Sequence, residues 1–283
     1  MGTTLTQAFR KLEGDEVLFP SGTSILVGRK FQPAGTPRAV VLIHGATAVP
    51  QGFYRAFAEW LTTQGLAAFT YDYRDFARSA TAPVRQSKAT ILDWTLQDQP
   101  AAQAEVARQF PGTPLWIMGH SLGGLFVPWH PNAAIAERVI TLASGLVHVS
   151  HHPWPYKAGA LAFWYGPGAA LTALLGYTPG KLLGLGARFP KGVYWQWRRF
   201  CTRTDYFRQA EFPTGQPPIT APTKIIAIAD DDMVPPLSVW KLMELYPMAV
   251  KSQLTLRPAK GRKIGHMGAF RRTNAHLWPS IIA

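Results

Sequence analysis

Residues 116–129 read WIMGHSLGGLFVPW. An apolar run meets Gly119-His120-Ser121-Leu122-Gly123, and a second small residue, Gly124, precedes more apolar positions. A buried strand that simply stopped would need no serine between glycines. Where a strand turns sharply into a helix, the central residue of G-x-S-x-G is held in a strained backbone conformation and its hydroxyl is pushed out above the sheet. The glycines leave room for that turn, and the next amide, that of Leu122, faces the same space. Alone, the motif also describes an ordinary glycine-rich turn, so its meaning depends on the rest of the chain.

A serine hydroxyl becomes a nucleophile only when a base takes its proton and a carboxylate orients that base. Of eight histidines, His120 lies inside the turn and points away from its neighbour, and His44 ends a strand before Gly45. His130, His148, His151, His152 and His276 have no special context. His266 sits in KIGHMGAF, a glycine-flanked loop after the last strand, which suits a side chain carried over the sheet edge to Ser121. The carboxylate is expected at the end of the preceding strand, where IIAIADDDMVPP offers Asp230, Asp231 and Asp232. Asp231, in D-x-x-V-P, is the choice for the triad. The others diverge from it in direction, and one of them suits the cap of the following helix. Chain order is then Ser121, Asp231, His266, the order of the α/β-hydrolase version of the triad. A tetrahedral oxyanion needs two preorganised donors. Leu122 N–H is one, and Ala46 N–H, after His44-Gly45, is the expected second.

Short apolar runs alternate with longer amphipathic stretches, which predicts a largely parallel sheet covered by helices. Strands are expected at 24–33, 39–45, 66–73, 114–119, 138–145, 223–232 and 252–258. Helices are expected at 53–65, at 89–110 with a bend at Pro100, at 237–246 and after His266. The alternation fails over 146–222, which is rich in Trp, Tyr, Gly, Pro and Leu. The reading is one α/β core, residues 1–145 and 223–283, interrupted by a helical cap at 146–222. Ligand sites of such sheets lie at the C-terminal strand ends.

The 283 residues, 47% of them hydrophobic, suffice for one large domain with an insertion. The single cysteine, Cys201, excludes a disulfide within the chain and shows no metal-ligand spacing. No signal peptide is evident, so a cytoplasmic location is expected; the opening Met1-Gly2 reads as a chance match to a myristoylation start. Gln109–Ala136 and Ala158–Gly180 carry no charge. The first holds the Ser121 turn and several prolines, and the second is broken at Gly166-Pro167-Gly168, which suits two short helices better than a membrane span. Net charge is +13, and it is uneven: residues 138–204 hold eight Lys/Arg and 245–283 hold seven, with no Asp or Glu in either. Such a field favours anionic substrates or weak association with an anionic membrane surface. No nucleic-acid motif accompanies it.

Taken together, HGAT (44–47), YDYRDFARS (71–79), GHSLGG (119–124), DDDMVP (230–235) and GHMG (265–268) resemble the α/β-hydrolase superfamily, from about residue 38 to the end. More narrowly, the chain is similar to bacterial hydrolases with H/N-G-A-T after the third strand, a Trp-rich helical cap and a closing G-H-x-G-x-F, here Gly265 to Phe270. The resemblance implies a mostly parallel eight-stranded sheet, a cap at 146–222, and no cofactor or metal. It implies acyl transfer from a small-molecule carboxylic ester through Ser121, His266 and Asp231. Amides, peptides and carbon–carbon bonds are alternatives with the same triad, and a non-catalytic ligand-binding protein is the alternative outside enzymology. Ser rather than Asp at 121 argues against the haloalkane dehalogenase and epoxide hydrolase branches. His44, Gly45, Trp154 and Trp164 are expected to contact substrate, with Trp195 and Trp197 in the same roof. The loop at 74–79, Arg-Asp-Phe-Ala-Arg-Ser, departs from the family's D-x-R-G-x-G-x-S by lacking both glycines.

Overall fold

A tight hairpin opens the fold. β1 (Glu16–Ser21) and β2 (Ser24–Phe31) pair antiparallel around Gly22, whose φ of +57° an L side chain would resist. The structure, a computed structural model, describes residues 12–205 and 212–283; Met1-Gly2 and part of the expected cap lie outside those ranges. The chain then alternates. β3 (Val40–His44) leads to α1 (Arg55–Thr63), and β4 (Ala67–Tyr71) to a helical run made of α2 (Ile91–Asp93), a π turn (Trp94–Asp98) and α3 (Gln99–Gln109). β5 (Leu115–His120) passes directly into α4 (Leu122–Leu125), and β6 (Arg138–Leu142) follows. The π turn sits where the sequence predicts a bend: Pro100 has no N–H and its ring crowds the carbonyl four residues earlier, so the helix opens there.

Between β6 and the next long strand stand α5 (Tyr156–Tyr165), α6 (Pro167–Leu175), the two-residue pair β7 (Tyr177–Thr178) and β8 (Phe189–Pro190), and α7 (Lys191–Thr202). The alternation resumes with β9 (Thr223–Ile228), α8 (Pro236–Lys241) and β10 (Lys251–Leu256). The single helix expected after His266 is instead broken into α9 (Gly265–Gly268), a 3₁₀ stretch with Asn274 out of helical geometry, and α10 (Trp278–Ile282).

The sheet has eight strands in the order β1-β2-β4-β3-β5-β6-β9-β10, parallel from β4 through β10. Period-2 alternation splits β3 between two cores. Val40 and Leu42 face the core that holds Trp94 and Ala102, while Val41 and Ile43 face the core that holds Phe57 and Trp278. Both faces are covered, which is why these strands are continuous apolar runs.

The loop that lacks the family glycines still takes a backbone that glycine favours. Asp75 (φ +57°) and Ala77 (φ +44°) stand where the pattern has glycine, in the left-handed region, at roughly 1 kcal/mol each. Surrounding bonds hold them there: Asp72 accepts from the Gln51 and Arg78 amides, and Arg74 forms a buried ion pair with Asp98. Burial pushes the Asp72 carboxyl up to about 6, against the bonds from Gln51 and Arg78 that favour its charge.

Three histidines, His44, His120 and His130, are at most 1% exposed. Burial holds His44 and His120 well below the usual imidazole range and pushes His130 down to about 3. Below pH 6.5 the unfolded chain therefore binds protons that the folded chain refuses. The stability is present above that pH and is lost as pH falls towards the folded values, at roughly 1–2 kcal/mol per pH unit per histidine. Asp72, with its raised value, works in the opposite sense between about 6 and 4. Denaturant unfolding at a series of pH values should show wild-type stability falling below pH 6.5. His130→Gln should shallow that slope by one proton, and parallel slopes for the two proteins would contradict the assignment.

Candidate active site

Close packing builds the turn at Ser121. A Cβ on Gly119 would overlap the Gly124 backbone, one on Gly123 the His44 carbonyl, and one on Gly124 the Ser144 hydroxyl. With strand, turn and helix pressed together, Ser121 takes φ +54° and ψ −118°, a conformation that L residues avoid unless their surroundings impose it. Its amide donates to Leu142 O at 3.0 Å, tying the turn to β6.

Ser121 opens into a cavity of about 420 Å³. Thr47, Leu122, Met233 and Val234 line it from the sheet side, and Tyr156, Trp164, Trp197, Phe200 and Cys201 line it from the segment between β6 and β9. The walls are mostly apolar. Burial pushes the Cys201 thiol up to about 12, so it stays protonated and presents apolar bulk.

Asp231 and His266 meet. His266 Nδ1 donates to Asp231 Oδ2 at 2.7 Å, both side chains being almost wholly buried. The other oxygen, Oδ1, accepts from the amides of Met233 and Val234 at 2.9 Å, which fixes the carboxylate's orientation. With Nδ1 occupied, Nε2 is the ring atom left for proton transfer. No hydrogen bond joins Ser121 Oγ to His266, a bond of the kind that tightens in Michaelis and transition-state complexes.

The two neighbouring aspartates differ. Asp230 accepts from Ile264 N at 3.0 Å and Gly265 N at 3.1 Å, so it clamps the backbone that presents His266. Asp232 is exposed, and it is its carbonyl that accepts from His152 Nδ1.

His120 faces away from the cavity, as its place in the turn predicts, and it bridges two loops. His266 O can only accept, so His120 Nε2 carries the proton of that 3.0 Å bond. His120 Nδ1 then accepts from the Tyr54 hydroxyl at 2.9 Å, and the Tyr54 oxygen accepts from Ala46 N–H at 2.8 Å. One buried chain of hydrogen bonds thus joins the HGAT loop, the Ser121 turn and the His266 loop.

That chain corrects one expectation: the Ala46 amide is spent on Tyr54 and is buried away from the cavity. Thr47 is the HGAT residue that lines the cavity, and among the described residues nothing accepts from its amide or from that of Leu122. Further corrections concern substrate contact. His44 shares the face of Val40 and Leu42 and lies in the core, bonded to Tyr71 Oη at 2.7 Å and 3.4 Å from Gln103 Nε2. Trp154 is 68% exposed, stands two residues ahead of α5 and does not line the cavity. Gly45 is buried against Tyr54, and its carbonyl accepts from Tyr73 Oη. Trp164 and Trp197 do line the cavity, and Trp195 does not. Among the described residues no group of three or more His, Cys, Asp or Glu could hold a metal ion.

An eight-stranded sheet of this order, with a serine turn after β5, an acid after β9 and a histidine after β10, defines the α/β-hydrolase fold, and the chain has that fold. Residues 35–163 match the family model described as serine aminopeptidase, S33. A 96-residue segment is 25% identical to human monoglyceride lipase, covering 34% of this chain and 31% of that enzyme. Among solved structures, a soluble variant of monoglyceride lipase from Saccharomyces cerevisiae superposes with a TM-score of 0.65 at 14% identity, covering 97% of this chain and 96% of that one. Alpha/beta hydrolase domain-containing protein 10 from mouse gives a TM-score of 0.58 at 15% identity, covering 95% and 97%.

The three acids separate by their partners. Asp231→Asn should lower kcat by several orders of magnitude, because the amide stabilises the wrong imidazole tautomer. Asp230→Asn keeps only one acceptor oxygen for two amides and should cost an intermediate factor, while Asp232→Asn should cost little. Turnover of an activated ester by the three variants, each checked for folding, reads the order directly. A loss at Asp232 equal to that at Asp231 would reverse the assignment.

Proposed function

We propose that this protein is a serine hydrolase that cleaves carboxylic esters of apolar, acyl-type small molecules by way of an acyl-enzyme. The observation that carries the reading is the 2.7 Å bond from His266 Nδ1 to Asp231 in a chain whose Ser121 is held at φ +54° in the lining of an apolar cavity. Ser121 Oγ attacks the carbonyl carbon as His266 Nε2 takes its proton. Asp231 holds the ring and stabilises the imidazolium. The oxyanion forms beside the free amides of Leu122 and Thr47, donors that need no reorganisation as charge develops. His266 returns the proton to the leaving alkoxide, and the alcohol departs. Water, deprotonated by the same nitrogen, attacks the acyl carbonyl and releases the carboxylic acid and the free serine.

The choice of ester rests on the cavity. Its aromatic and aliphatic walls favour an acyl chain over a peptide backbone, whose buried N–H and C=O groups would lack partners there. The likeness to monoglyceride lipases, enzymes named for an acyl ester, supports the same reading.

Burying each CH₂ of an acyl chain contributes about 0.8 kcal/mol, roughly fourfold in kcat/KM, until the cavity is full. A panel of p-nitrophenyl esters should therefore show kcat/KM rising from acetate through medium chains and then levelling, with Ser121→Ala inactive on all of them. A flat or falling profile would argue against an acyl cavity. Preferred cleavage of aminoacyl p-nitroanilides would transfer the reading to peptides.

A further inference from the structure

The segment Tyr156–Leu175 has the length and composition of a membrane span, but Gly166 (φ −117°, ψ −128°) divides it into α5 and α6. At 1.5 Å per residue, helices of ten and nine residues reach about 15 Å each, half a bilayer's hydrocarbon core. They also do not bury their apolar side chains as core helices would. Leu174 is 83% exposed, and Leu182, on the turn that follows, is 72% exposed. Trp154, just ahead of α5, is open too, while Tyr165 at the end of α5 is exposed on one side and carries the Arg198 guanidinium over its ring. An unpartnered apolar surface of this kind marks an interaction site.

Its charge names the partner. Residues 138–204 carry eight basic side chains and no acid. Lys157 follows Trp154 and Lys181 precedes Leu182, and among the described residues neither lysine pairs with a carboxylate. The cavity of Ser121 opens at the same place: Pro155, Gly159 and Gly184 are both exposed and part of its lining, so its mouth lies between the start of α5 and the turn after α6. Along the chain, Trp154 and Lys157 stand beside the lining residues Pro155 and Gly159, and Lys181 and Leu182 precede Gly184.

We propose that this face docks on an anionic lipid bilayer. The apolar side chains enter the headgroup boundary, the lysines lie among the lipid phosphates, and the cavity mouth faces the acyl layer. The docking places a membrane-dissolved acyl ester at the entrance to Ser121, so it deepens the ester-hydrolase reading and rests on it for its purpose. The binding itself does not require catalysis.

Flotation of the full-length Ser121→Ala protein with vesicles tests the surface apart from the chemistry. Protein should float with vesicles of phosphatidylcholine mixed with phosphatidylglycerol, much less with phosphatidylcholine alone, and release as salt is raised. Each of Lys157→Gln and Lys181→Gln should weaken binding about fivefold. Trp154→Ser/Leu182→Ser, in the otherwise wild-type enzyme, should keep kcat/KM for a water-soluble p-nitrophenyl ester and lose activity on a long-chain ester embedded in anionic vesicles. Retained soluble-ester turnover shows that this variant is folded. Absence of flotation, equal flotation with both vesicle types, or a concentration-dependent dimer that hides this face from vesicles would overturn the proposal. Flotation by a protein that cleaves no ester would leave the docking intact and remove the hydrolase reading instead.

Discussion

The rest of the structure depends on the contact of three glycines at the end of β5. Gly119 against Gly124, Gly123 against the His44 carbonyl and Gly124 against the Ser144 hydroxyl leave no room for a methyl group. Strand, helix and neighbouring strands are therefore locked at one separation, and Ser121 has nowhere to relax from φ +54°. That strain is of order 1–3 kcal/mol and is sustained by the packing around it. In return the serine oxygen and the Leu122 amide are presented to the cavity before any ligand arrives.

The second constraint is the buried chain from Ala46 N–H through Tyr54 and His120 to the carbonyl of His266. Each bond has one direction, because a carbonyl only accepts and a neutral imidazole donates from one nitrogen. Reversing any member would leave a buried donor or acceptor unpaired, at about 1–3 kcal/mol. Burial and the nearby His266 keep His120 uncharged, so the polarity of the chain is stable across the neutral range. Asp230 clamps the same loop from the other side through the amides of Ile264 and Gly265. His266 is thus held by its backbone at two points and by its side chain at a third, Asp231.

Features governed by short-range chemistry were legible in the sequence. The alternation of apolar runs gave the parallel strands, and glycine spacing gave the turn at Ser121. Strand ends gave the pairing of His266 with Asp231, with Asp230 and Asp232 turned elsewhere. Features that depend on how distant loops meet were not legible. Nothing in FYRAF marks Tyr54 as the residue that occupies the Ala46 amide, the donor expected at the oxyanion. His44 reads as a residue beside the site because it ends a strand, but the parity of β3 turns it into the core. Trp154 reads as roof because the segment is rich in tryptophan, yet it lies ahead of α5 and open to solvent while Trp164, ten residues on, lines the cavity. At 75 and 77, where the family pattern has glycine, Asp75 and Ala77 take positive φ, because bonds made by Asp72 and Arg74 outweigh the local preference.

The account turns on Ser121 being an activated nucleophile in the folded chain. Incubation with a fluorophosphonate followed by peptide mass spectrometry measures this without knowledge of the substrate. The account predicts a single adduct on Ser121, formed far more slowly in His266→Ala and abolished by unfolding. A folded wild-type protein that leaves Ser121 unlabelled, or labels as fast without His266, would contradict it.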